Sequence, residues 1–183
     1  FAEDRLEALV KKWSAAGGSV IIQEPNTGKI LAMADYPAFD PNTYRDFEQG
    51  IFLNSSVQQI FEPGSSFKAF IMSAGLDLDK ITPQTIYEDT GSLTIAGYTI
   101  KNFSEKIFGV QTMTQVLEKS LNTGTMHVEK LVGDDNFLSY VVNMGFGQKT
   151  GIDMPGELSG DITNLYSGQK INYLTASFGQ GIA

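Results

Sequence analysis

The segment Ser19-Val-Ile-Ile-Gln-Glu24, the turn Pro25-Asn-Thr-Gly28 and the segment Lys29-Ile-Leu-Ala-Met-Ala34 restrict the fold more than any other part of the chain. Two strand-like runs flank a short Gly-containing turn, which is the pattern of a β-hairpin. Val20, Ile21 and Ile22 are consecutive apolar residues, so both faces of the hairpin are expected to be covered. Leu6, Leu9, Val10 and Trp13 recur at helical spacing opposite Glu3, Asp4, Glu7, Lys11 and Lys12, which predicts an amphipathic helix over 1–16 with Trp13 in the core. Gly17 and Gly18 end that helix.

Helical periods dominate the rest. An irregular stretch begins at Asp35-Tyr-Pro-Ala-Phe-Asp-Pro-Asn42 and lasts until Pro63-Gly64 opens an apolar helical run from Ser65 to Leu76. Residues 92–100 alternate around Ala96-Gly97 and predict a small exposed hairpin. Thr112-Met-Thr-Gln115 has the form of a capping box opening a helix to about Lys119. Further helices are expected over 123–132 and 134–144, the latter favoured at its start by Asp134-Asp135 and stopped by Gly145. Residues 145–160 read as loop, and 171–178 as a short helix or strand. The class is α+β, helices packed on an antiparallel sheet.

Composition excludes several functions. The 183 residues carry 13 basic and 21 acidic side chains, a formal charge of −8 that repels a phosphate backbone, so nucleic acid is not an expected partner. With no Cys and one His, His127, thiolate zinc sites, disulfides and His-pair metal sites are ruled out. His127 reads as a surface or core residue rather than a general base. Asp77, Asp79 and Glu88 fall at positions 1, 3 and 12 of a calcium loop, but Ile81 and Thr82 stand where an oxygen ligand and Gly are needed. No run approaches the ~18 apolar residues of a membrane span. The start at Phe1, without Met or a basic leader region, reads as excised or processed.

Chemistry concentrates at the start of the second predicted helix. Ser65 and Lys68 are three apart, so they share a helix face and the amine can reach the hydroxyl within one turn. A lysine can act as the base for a serine only if its pKa is depressed, which desolvation near a helix N-terminus achieves; Phe67 and Phe70 contribute apolar surroundings. Alone, a Ser-x-x-Lys also fits a first-turn serine beside a solvated lysine. Its setting, Glu62-Pro-Gly-Ser-Ser-Phe-Lys68, and the later Ser120-Leu-Asn122 supply a second hydroxyl and an amide suited to proton relay and carbonyl binding. Glu62 fits either the rim of a cleft or a solvated surface.

These motifs resemble those of the transpeptidase domain of class B penicillin-binding proteins. The resemblance covers roughly residues 17–183. It is carried also by Asn26-Thr-Gly-Lys-Ile-Leu-Ala-Met33, Tyr36-Pro-Ala-Phe-Asp-Pro-Asn42, Gly145-Phe-Gly-Gln-Lys-Thr-Gly-Ile-Asp-Met-Pro-Gly-Glu157 and Ser177-Phe-Gly-Gln-Gly181. It implies a β-lactamase/transpeptidase-like α+β fold with 1–183 as a partial domain. Ser65 is then the acylated nucleophile, Lys68 its base, Ser120 a proton shuttle and Asn122 a donor to the acyl amide carbonyl, with the backbone N–H of Ser65 as half of the oxyanion hole. The implied substrates are peptidoglycan stem peptides, mimicked by β-lactams, and no cofactor is required. The implied setting is the extracytoplasmic face of the bacterial inner membrane, for a membrane-anchored full-length protein with cell-wall synthesis partners.

Lys149-Thr150-Gly151 spells the family's third motif, yet it follows a Gly-stopped helix, precedes Ile152-Asp-Met-Pro-Gly156 and lacks strand alternation. The resemblance places the true motif after Ser177–Gly181. The ending at Ala183 closes nothing, so the C-terminal strands are expected to continue beyond it or come from a complementing C-terminal fragment. Lacking that strand, the chain by itself is expected to acylate slowly or not at all. Two other functions fit the motifs: a β-lactam sensor or β-lactam-hydrolysing relative, which needs a water-activating group, and a catalytically silent interaction or folding unit.

Overall fold

The computed structural model describes residues 1–103 and 105–183, and these divide into two compact units. The first comprises 1–59 and 151–158. Its helix α1 (Ala2–Trp13) has acidic residues in the first turn and Lys11 and Lys12 in the last, as the macrodipole favours. Strands β1 (Gly18–Gln23) and β2 (Ile30–Tyr36) pair antiparallel, Val20 opposite Ala34 and Ile22 opposite Ala32. Leu6 and Val10 of α1 pack on Ala34, Val20 and Tyr36.

Two expectations fail here. Trp13 lies one turn beyond Val10 on the same face, but the apolar contact with the hairpin ends at Val10, leaving Trp13 70% exposed with the Lys12 ammonium 5.3 Å from its ring. Ile21 and Ile22 are also exposed, because the described sheet has only two strands and its helix covers a single patch around Val20. The irregular stretch holds short 3-10 turns and α2 (Ser55–Gln58), whose Ser55 amide donates to Asp35 Oδ2 at 2.8 Å.

The second unit comprises 60–150 and 159–183. A 3-10 turn, Gly64–Phe67, runs directly into α3 (Lys68–Asp77). Strands β3 (Ile86–Asp89), β4 (Ser92–Ile95), β5 (Tyr98–Lys101) and β6 (Gly109–Thr112) form two small antiparallel sheets, β4 with β5 as a hairpin and β3 with β6 around it. The β3/β6 pair was not expected from sequence. Each strand has four residues, and its partner lies across the intervening hairpin, where local pattern carries no signal.

Helices α4 (Met113–Glu118), α5 (Asn122–Val132), α6 (Asp134–Asn143) and α7 (Lys170–Ala176) complete the unit. The Thr112–Gln115 capping box is present in both directions, and Gly145, at φ +90°, follows the end of α6. The core gathers Phe67 and Ile71 of the turn and α3, Val116 and Leu121 around α4, Val128 of α5, Phe137 of α6, and Leu165. Among the described residues no helix is long and apolar enough to cross a membrane.

Candidate active site

Pro63 leads into the turn that carries Ser65, and Gly64 adopts φ +57°. That conformation lets the Gly64 amide donate to the carbonyl of Gly179 at 3.0 Å. Glu62 accepts from the amide of Gly181 at 2.7 Å, so it serves as a backbone anchor. Both bonds tie the segment after α7 to the residues before Ser65. Ser65 is exposed and lines a cleft of about 340 Å³ with Gly64, Ser120, Asn122, Phe103 and Gln180.

Lys68, one turn on, is only 2% exposed. Its Nζ donates to Ser120 O at 2.6 Å, to Ser120 Oγ at 2.9 Å and to Asn122 Oδ1 at 2.8 Å. These match the three donors of an ammonium group. Among the described residues its hydrogen bonds go to Ser120 and Asn122 rather than to Ser65. Burial of the amine lowers its pKa to about 8. Ser65, Ser120 and Asn122 thus line one cleft, and the buried Lys68 is hydrogen-bonded to the last two.

The joint between α4 and α5 sets this geometry. The amide of Leu121 donates to Val116 O at 2.9 Å and that of Ser120 to Leu117 O at 3.0 Å, which is a Schellman closure with Ser120 at the left-handed position. Ser120 has φ +54°, a conformation usually left to Gly and costly for other residues. Buried Leu121 and Val116 supply the apolar contact that accompanies the motif. Asn122 then starts α5, with its Nδ2 donating to Lys101 O at 3.1 Å. That bond fixes which amide atom faces Lys68.

Beneath Asn122 lies a polar network that sequence reasoning did not find. Asp89, 1% exposed, accepts from Thr123 Oγ1 at 2.7 Å, Asn102 Nδ2 at 2.9 Å, Phe108 N at 2.9 Å and Gly91 N at 3.1 Å. Burial raises its pKa, but these hydrogen bonds outweigh burial and hold it below the ordinary carboxylate value. Asn102 Oδ1 also accepts from the Thr123 amide at 3.2 Å. Asp89 therefore joins the β4–β5 hairpin to the first turn of α5. Nothing local marks it, since its partners lie between 2 and 34 residues away along the chain.

His127 is half-buried, its ring 5.0 Å from that of Tyr87, and burial together with Lys130 keeps its pKa low. Lys149 sits in irregular backbone rather than a strand.

A sequence model of the family described as penicillin binding protein transpeptidase domain matches residues 18–183. The stage V sporulation protein D of Bacillus subtilis is 30% identical over 183 residues, covering 99% of this chain and 28% of that protein. A probable peptidoglycan D,D-transpeptidase, PbpC, of Pseudomonas aeruginosa is 34% identical over 179 residues, covering 97% of this chain and 31% of that protein. The apo TP domain of Burkholderia pseudomallei penicillin-binding protein 3 superposes with a TM-score of 0.85 at 27% identity, over 99% of this chain and 50% of that one. The chain thus spans under a third of these curated relatives and half of the solved domain.

Proposed function

The chain belongs to the penicillin-binding protein transpeptidase domain family, and from that premise we propose that it is part of a serine D,D-transpeptidase domain that cross-links peptidoglycan stem peptides. The observation that carries this reading is Lys68: a buried amine with a pKa near 8, one turn from an exposed serine and bonded to both Ser120 and Asn122. At neutral pH about a tenth of such an amine is uncharged and able to accept a proton. Nearly all of an exposed lysine is charged.

In the proposed reaction Ser65 Oγ attacks the carbonyl carbon of the penultimate D-alanine while its proton passes to Lys68. The peptide C–N bond breaks, and the leaving D-alanine nitrogen takes a proton through Ser120. Asn122 Nδ2 has a second N–H to offer the acyl amide carbonyl. The amino group of a neighbouring stem then attacks the ester; a new amide forms, the bond to Ser65 Oγ breaks, and a proton returns to that oxygen. β-Lactams enter the first step by opening their ring on Ser65. Stem peptides lie outside the inner membrane, so the domain is placed on its extracytoplasmic face within a longer, membrane-anchored protein.

Intact mass of the full-length protein after incubation with a β-lactam tests this. A stable adduct lost in Ser65→Ala is expected. A folded protein that gains no mass, or that gains it equally without Ser65, overturns the assignment.

A further inference from the structure

Glu129 of α5 is fully buried, and Lys170, the first residue of α7, reaches it from the neighbouring helix. Lys170 Nζ donates to Glu129 Oε1 at 3.0 Å, while Oε2, 2.8 Å away, has no hydrogen-bond geometry of its own. The same nitrogen donates to Asp134 Oδ1 at the start of α6. Two of these residues sit at helix ends where the macrodipole opposes them: an acid in the last turn of α5 and a cation at the first position of α7. Local helix preference therefore explains neither. Their pairing across the helices does.

Both helices lead to the site. Asn122 is the first residue of α5, two turns before Glu129 on the same helix. Beyond the end of α7 stands Gly179, whose carbonyl holds the Gly64 amide beside Ser65. Between the cluster and the site, α5 and α7 meet through Met126, Leu174 and Phe178, apolar contacts that resist separation but fix axial register weakly. A charged cluster with defined partners can fix it. We propose that Glu129, Lys170 and Asp134 form a positioning cluster that sets the register of α7 against α5, and through it the seat of Gly64 and Ser65 opposite Ser120 and Asn122.

Resting on the transpeptidase reading, this assignment adds a property that the reaction alone does not require. Burial raises Glu129 to about pH 7, opposed by Lys170 and reinforced by Asp134. Asp134 and Lys170 are the charges that act on it; Tyr173 of α7 and Asp135 of α6 share its surroundings. Any opening that separates α7 from α5 exposes Glu129 and returns it toward the ordinary carboxylate value. Opening therefore releases a proton and is favoured as pH rises. Lys170 counters this by stabilising the ionised form.

Amide hydrogen exchange at Gly64 in the full-length protein, corrected for intrinsic exchange, reads the seat directly, and Ser65 acylation by a β-lactam reads its consequence. Lys170→Met is expected to lower Gly64 protection and to slow acylation, each by about tenfold at pH 8 and by less at pH 6. Adding Glu129→Gln to Lys170→Met should remove that pH dependence, and Lys170→Arg should keep protection near the wild type. Val141→Ala, a core change in α6, serves as a control with comparable loss of melting temperature and unchanged Gly64 protection. The proposal is overturned if Lys170→Met alters Gly64 protection less than twofold at pH 8, or if Val141→Ala alters it as much. Should the wild type not acylate at all, exchange still decides the cluster, and the failure counts against the functional reading alone.

Discussion

Gly179 and Gly64 approach so closely that a Cβ on Gly179 would stand 2.2 Å from the Gly64 carbonyl oxygen. Gly179 also has φ +78°, which L side chains rarely adopt. Gly179→Ala must therefore push the segment after α7 away from the turn that carries Ser65. Thermal unfolding should show a loss of about 2 kcal/mol or more, and acylation should slow beyond what the lost stability explains.

Lys68 sets the pH at which the proposed nucleophile is activated. Its depressed pKa of about 8 predicts an acylation rate that climbs with pH to about 8 and then levels. Lys68→Ala should cost on the order of a hundredfold or more. Single-turnover acylation over pH 6–9 checks both; a flat profile across this range would exclude Lys68 as the base.

Ser120 pairs a useful hydroxyl with an unfavourable backbone. Ser120→Gly relieves the left-handed strain at φ +54° while deleting the oxygen bonded to Lys68. Stability is expected to hold or rise by about 1 kcal/mol, with acyl transfer falling sharply. A denaturation midpoint and an acylation rate measured on one preparation test the pair of effects.

Asp89 ties β3 and the β4–β5 hairpin to α5 by accepting four hydrogen bonds in a buried setting. Asp89→Ala leaves the donors of Thr123 and Asn102 without it and should cost about 3 kcal/mol. Because the folded state depresses this carboxyl, its contribution is fully present above about pH 4 and is lost as pH falls through the depressed value. The variant's acid unfolding curve should therefore be shallower than the wild type's in that range.

Glu129 has the opposite sign. Its raised pKa means that its contribution is fully present below about pH 4.5 and is lost as pH rises through about 7. Glu129→Gln should flatten that decline, gaining on the order of 2 kcal/mol relative to the wild type at pH 8. Melting temperatures of both proteins at pH 5 and pH 8 decide it.

Local chemistry made much of this protein legible before any coordinates. The hairpin at Pro25-Asn-Thr-Gly28, the Thr112–Gln115 capping box and the Gly145 stop are decided by neighbours within a few residues, where spacing and turn residues act directly. For the same reason Ser65 and Lys68 could be paired on one helix face. Tertiary structure decided where Lys68 points, since its three acceptors lie more than fifty residues away. It also decided that a serine would occupy the left-handed joint between α4 and α5, that Trp13 would stay exposed, and that Asp89 and Glu129 would be buried with partners from other elements. The cost or gain of a buried charge depends on what the fold brings to it, and a linear sequence does not encode that separately from the fold.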